Sequence, residues 1–168
     1  MNDWTSMTMG LLLTVALVAT VVRADEPVAV RRIPIPAREH GYSNFETTVI
    51  GSQAALDQFL KGDQQGGDMG WNNRQEFIEA LDRANLDFEK EQLVLLRHTE
   101  GSGSVRVEFH PPRVEGQTVI CRISRTVPEM GTADMAFYCF ALAVTKTGPT
   151  EVQLTVDGRA PVTVPLKQ

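Results

Sequence analysis

Hydrophobic and polar positions along the chain change period once. Between residues 52 and 84 the apolar side chains recur at spacings of three and four. Leu56, Phe59 and Leu60 come first, then Phe77, Ile78, Leu81 and Ala84, a pattern that lines one face of a 3.6-residue helix. Ser52 stands where the first turn needs an acceptor for its free amides, and Gly62 stands where the turn should stop, so a helix is expected near 53–61. Asn73, with Glu76 three positions on, makes a capping-box pair for a second helix over 74–84, ended near Arg83 and Asn85. From Leu86 onward the period falls to two. Leu93 to Leu96 is apolar on both faces and predicts a central strand buried on both sides. Val105, Val107 and Phe109 alternate with Arg106 and Glu108, and Val119, Cys121 and Ile123 alternate with Arg122 and Ser124, which predicts two half-buried strands. Residues 136–145 form a long apolar run. Val152, Leu154 and Val156 lead into the turn pair Asp157-Gly158, and Val162 and Val164 close the pattern. Phe45 to Ile50 adds a short strand before the first helix. The fold class these elements predict is α+β: a mainly antiparallel β-sheet, sandwich or open barrel, of five to seven strands with two short amphipathic helices in the N-terminal half.

The N-terminal residues are of another kind. Gly10 to Val22 carries no charge and is followed by Val22-Arg23-Ala24 and the polar Asp25-Glu26-Pro27. This run is too short to span a bilayer, and its small residue at the end suits processing, so residues 1–24 are expected to be a signal peptide. Residues 25–44 hold Pro27, Pro34 and Pro36 without a sustained period and predict an extended arm or edge strand outside the core. Residues 45–168 then form a single β-rich domain. The glycine-rich stretch 62–73 is expected to be a long loop, with Trp71 buried at its end.

Charge narrows the partners. The formal net charge is −5, and removing residues 1–24 takes away Arg23 and Asp3 together and leaves it unchanged. With no basic cluster denser than Arg31-Arg32, nucleic acid is not expected as a partner. No apolar stretch after residue 24 reaches membrane length, so no membrane span is expected once the signal segment is cleaved. The protein is expected to be exported, periplasmic or extracellular.

The stretch from Arg97 to Phe109, RHTEGSGSVRVEF, concentrates the polar chemistry. A phosphate cradle at Gly101 to Ser104 would need a helix to follow it, and a strand follows instead. A hydrolase reading takes His98 as base, Ser102 or Ser104 as nucleophile and an acid such as Glu100 or Asp134, but neighbours along a strand point to opposite faces and no G-x-S-x-G elbow is present. It stands as the alternative. No metal is expected: His40, His98 and His110 are isolated, and Asp63 and Asp68 lack the spacing of a calcium loop. No cofactor motif appears. The loops 98–104 and 126–134 form the candidate binding surface, carried by His98, Glu100, Ser102, Ser104, Glu129, Thr132 and Asp134. Cys121 and Cys139 would lie opposite each other in a hairpin centred on Met130, which makes a disulfide geometrically available; two buried free thiols are the other outcome.

Leu86-Asp87-Phe88-Glu89-Lys90-Glu91, entering a strand and followed by Gly101 to Gly103 and a further strand, resembles the PrcB-like C-terminal domain family, protease-complex proteins of exported bacterial origin. The likeness runs in outline over residues 86–157, with residues 132–146 as the matching late strand. It implies a small β-rich accessory domain that associates with a secreted protease and has no catalytic residues of its own. The reading that results is an exported, non-enzymatic β-rich domain acting through contact with another extracytoplasmic protein.

Overall fold

A computed structural model describes residues 29–62 and 71–167. The expected signal peptide at 1–24 and the loop residues 63–70, with Asp63 and Asp68, lie outside the described residues. In chain order the elements are β1 (Val30–Ile33), β2 (Thr48–Ile50), α1 (Gln53–Gly62), α2 (Arg74–Arg83), β3 (Glu91–Glu100), β4 (Arg106–Phe109), β5 (Arg113–Glu115), β6 (Thr118–Thr126), β7 (Ala136–Thr145), β8 (Glu151–Val156) and β9 (Val162–Pro165), with a 3-10 turn at His40–Asn44. One sheet has the order β1-β7-β3-β2 and is antiparallel throughout. The other runs β4-β6-β8-β9, with β5 also paired to β6. Neither sheet closes. The molecule is mostly β with two helices, in agreement with α+β, but it has nine strands among the described residues rather than five to seven. The strand expected over Phe45 to Ile50 is β2; the short β1 and β5 carry too few residues to show a period.

The alternation in β3 and β7 sets three layers. Val94 and Leu96, with Tyr138, Phe140, Leu142 and Val144, meet Val119, Cys121, Ile123, Val152 and Leu154 of the second sheet. The intervening residues, Leu93, Leu95, Cys139, Ala141 and Ala143, face Leu56 of α1 and Phe77, Ala80 and Leu81 of α2. The small residues of β7 lie on the helix side, where they let the helices approach. The large ones fill the space between the sheets. This double burial explains why Leu93 to Leu96 read as apolar on both faces. Truncating one of these leucines to Ala should cost about 2–5 kcal/mol.

α1 begins as expected, with the Ser52 hydroxyl accepting from the amide of Ala55 at 3.2 Å. Asn73 stands before α2, but its side chain does not cap the helix; it donates to the carboxylate of Glu39 instead. The capping box expected with Glu76 is therefore absent, because a long-range acceptor captures the amide. The N-terminal arm is an edge strand in part, as one of its two readings had it, but it is not outside the core. Residues 30–33 form an edge strand on β7, and Ile33, Ile35 and Tyr42 are buried with the helices. Tyr42 donates to the carbonyl of Pro36 and meets Trp71 edge-on at 5.6 Å. Gly41 is required here, since a Cβ would stand 2.7 Å from the Cβ of Trp71. Prolines removed the period from this segment without removing its apolar contacts.

The hairpin expected between β6 and β7 is also corrected. β7 pairs with β1 and β3, β6 pairs with β4, β5 and β8, and the chain crosses from one sheet to the other between them. Cys121 lies between the sheets and Cys139 lies beneath the helices, so the two thiols are free and on opposite faces of the first sheet. Burial pushes Cys121 up to about 12 and Cys139 higher still. β6 and β8 are parallel, which makes the second sheet mixed.

β8 turns into β9 at Asp157-Gly158, where Gly158 takes a φ of 76° and the amide of Arg159 reaches the carbonyl of Val156 at 2.9 Å. β9 is the outer strand, and its register pairs Val164 with Val152 and Val162 with Leu154. The amide of Leu166 bonds to Thr150, so the alternate positions of the strand, Thr163 and Pro165, turn their backbone groups away from β8.

Candidate functional site

The last two inward positions of β3 are polar. His98 and Glu100 continue the face of Val94 and Leu96, and they are only 5 % and 1 % exposed. A carboxylate at such a position needs donors for both oxygens. Arg125, which continues the inward series Cys121 and Ile123 on β6, gives it two, from Nε to Oε1 at 2.5 Å and from Nη2 to Oε2 at 2.7 Å. Arg159 adds a bond to Oε2 at 3.2 Å and holds the carbonyl of Thr99 at the same distance. His98 Nε2 lies 2.6 Å from Oε1, and its ring leans on Tyr138, whose hydroxyl donates to the carbonyl of Val105.

Electrostatics follow from this packing. Burial pulls His98 below the usual histidine range, more than its bond to Glu100 raises it, so the imidazole is neutral near pH 7 and donates from Nε2. Burial acts on Glu100 in the opposite direction, toward the neutral acid. The bonds from Arg125 and His98 outweigh it and hold the carboxyl below its usual range.

Immediately beyond Glu100 the chain comes to the surface, and the second polar group is of another kind. The hydroxyls of Ser102 and Ser104 meet that of Thr132 at 3.3 and 3.0 Å, and the Thr132 amide donates to Ser104 Oγ at 3.1 Å. The Gly103 amide bonds to the carbonyl of Asp134 at 2.8 Å, and Arg38 donates to the carbonyl of Gly103 at 3.0 Å while lying 3.6 Å from the Asp134 carboxylate. Hydrogen bonding from Thr132 is the main cause that holds Asp134 below its usual range. Any side chain at 103 would collide here, since a Cβ would stand 2.6 Å from Arg38 Nη2 and 2.8 Å from Asp134 Cγ. Together these bonds fasten loop 101–104 to the crossover 127–135.

That crossover is exposed along its whole length. It carries Glu129, and it also holds out Met130, 88 % exposed, with Val127 at 62 % and Met135 at 51 %.

The structure thus brings Ser102, Ser104, Thr132 and Asp134 together, with Glu129 on the same crossover, and separates them from His98 and Glu100. The last two were expected at the surface; the pleat turns both inward, so they support the platform from within. Among the described residues His98 bonds to Glu100 and the serines bond to Thr132, and no hydrogen bond links His98 to either serine. The sequence reading misses Arg38, Arg125 and Arg159. Arg125 left a signal, a charge at the next inward position after Val119, Cys121 and Ile123; the other two act across more than 55 residues of chain and left none. Among the described residues no helix is long and apolar enough to cross a membrane. Compared with family models, curated proteins and solved structures, the chain matches none.

Proposed function

We propose that this is an exported, non-enzymatic binding domain that engages another extracytoplasmic protein through the fastened loops 101–104 and 127–135. In this reading the two sheets are a sandwich scaffold, and the crossover between them is its contact surface. The observation that carries it is the exposure of Met130, Val127 and Met135 on a loop whose backbone is tied down by Ser102, Ser104, Arg38 and Asp134. A large exposed apolar side chain on a pre-ordered loop is suited to a partner's pocket, because little freedom is lost on binding. The likeness of residues 86–157 to the PrcB-like domains makes a secreted protease the partner class to test first. The hydrolase alternative finds its base paired with Glu100, an acid that reading allows, but Ser102 and Ser104 bond to Thr132 and neither is joined to His98 by a hydrogen bond among the described residues, so its nucleophile lacks a base.

The test is site-specific photo-crosslinking from position 130, with position 114 on β5, also exposed, as a control on another surface. The expected result is a discrete adduct from position 130 in extracytoplasmic fractions, lost with Ser104→Trp, and none from position 114. Equal labelling from both positions, or no adduct from 130, would remove the platform from the proposal.

A further inference from the structure

The two open sides of the sheet pair are closed differently. On the β1 and β4 side, Arg32 lies over the rings of Phe109 and Phe140 at 5.2 and 5.9 Å, and those rings stack 4.4 Å apart. That side is filled. On the β2 and β9 side the sheets part around a cavity of about 200 Å3. Leu96, Leu154, Val156, Val162 and Val164 give it apolar walls, and no Asp or Glu lines it among the described residues.

Arg97, His98 and Arg159 contribute to the same lining; Arg97 is matched by Glu46, but the charge behind the other two does not cancel. The single carboxylate of Glu100 faces two guanidiniums, those of Arg125 and Arg159. The neighbouring Asp157 is matched by Arg122 at 3.3 Å. Arg125 occupies both oxygens of Glu100, and Arg159 holds one of them more loosely while its side chain keeps 42 % of its exposure. One positive charge is left over, on a group that lines an apolar slot and also reaches water. Low-dielectric walls focus such a charge on an anion that enters.

We propose that this cavity binds a small amphipathic monocarboxylate, with its hydrocarbon part between Leu96, Leu154 and Val164 and its carboxylate on Arg159. An apolar cavity of roughly 150 Å3 accommodates benzene, so the present one suits a single ring or short alkyl chain with its head group. The site is separate from the loop platform and does not depend on the function proposed for it.

Methyl NMR of the purified protein, titrated with benzoate and with the uncharged benzyl alcohol, tests this. Benzoate should shift the methyl signals of Leu96, Leu154 and Val164 saturably, and benzyl alcohol should bind at least about tenfold more weakly. Arg159→Gln should bring benzoate down to the level of the alcohol, Arg159→Lys should retain most of the difference, and Val162→Trp at the exposed mouth should weaken both ligands. Loss of benzoate binding in Arg159→Gln counts only with an amide spectrum that stays native. Absence of saturable shifts at those methyls, shifts confined to surface residues, or equal affinity for acid and alcohol in the wild type would overturn the proposal.

Discussion

Two polar clusters lie within seven residues of one another and obey opposite rules. His98 and Glu100 are inside the sheet pair, where each polar atom must find a partner or destabilise the fold. Accordingly Glu100 has collected three donor groups from three elements. Ser102 and Ser104 are past the end of the strand, where water would satisfy them equally well. Their bonds to Thr132 and Asp134 therefore contribute little stability and much geometry. The inner cluster is costly to break and hidden from partners. The outer one is cheap to break and determines which surface a partner meets.

Substitutions should separate the two. Glu100→Ala leaves Arg125, Arg159 and His98 around an empty site and should destabilise by about 3 kcal/mol, the low end for a broken buried pair because Arg159 keeps access to water; chemical denaturation measures it. Gly103→Val forces a branched side chain against Arg38 and Asp134 and should cost about 1–3 kcal/mol, with amide shifts concentrated at 101–104 and 131–135. A destabilisation of Gly103→Val that exceeded that of Glu100→Ala would invert the comparison. Acid should reach the inner cluster first, and the outer one only below the ordinary aspartate value of 3.8, since Asp134 too is held low when folded. His98 and Glu100 both titrate below their usual values when folded, so the unfolded chain binds more protons and stability falls with pH. The decline should begin near the ordinary histidine value of 6.5 and steepen below the ordinary glutamate value of 4.5. His98→Gln should flatten the upper part, and a wild type whose stability is level from pH 7 to 5 would contradict this. Ser104→Ala should be the mildest, about 0.5–1 kcal/mol, while reducing crosslinking from position 130.

How much of this is legible in the sequence depends on the range of the interaction. Helix α1 is readable to within a residue, because Ser52, Gly62 and the spacing of Leu56 and Phe59 are local signals. The double burial of β3 is readable from four adjacent apolar residues. The partners of β6 and β7 are not. Alternation says which residues are buried and nothing about which strand lies beside them, so a hairpin and a crossover look the same, and the disulfide expectation rests on that ambiguity. The same limit applies to the site. Thr132 and Asp134 group with Ser102 and Ser104 as loop residues in sequence and structure alike, whereas His98 and Glu100 join them only by proximity and belong, by the pleat, to the interior.

The register of β9 has a consequence for the protein among its own copies. The strand turns Thr163 and Pro165 outward, and Pro161 stands just before it; neither proline has an N–H to offer, so only Thr163 could donate to an added strand. One donor cannot seed a ladder. An edge of exposed valine would otherwise invite stacking of one molecule on the next, and at high concentration the prolines should keep this border from polymerising. Replacing Pro161 and Pro165 with threonine would restore the row and should shorten the lag before fibrils form.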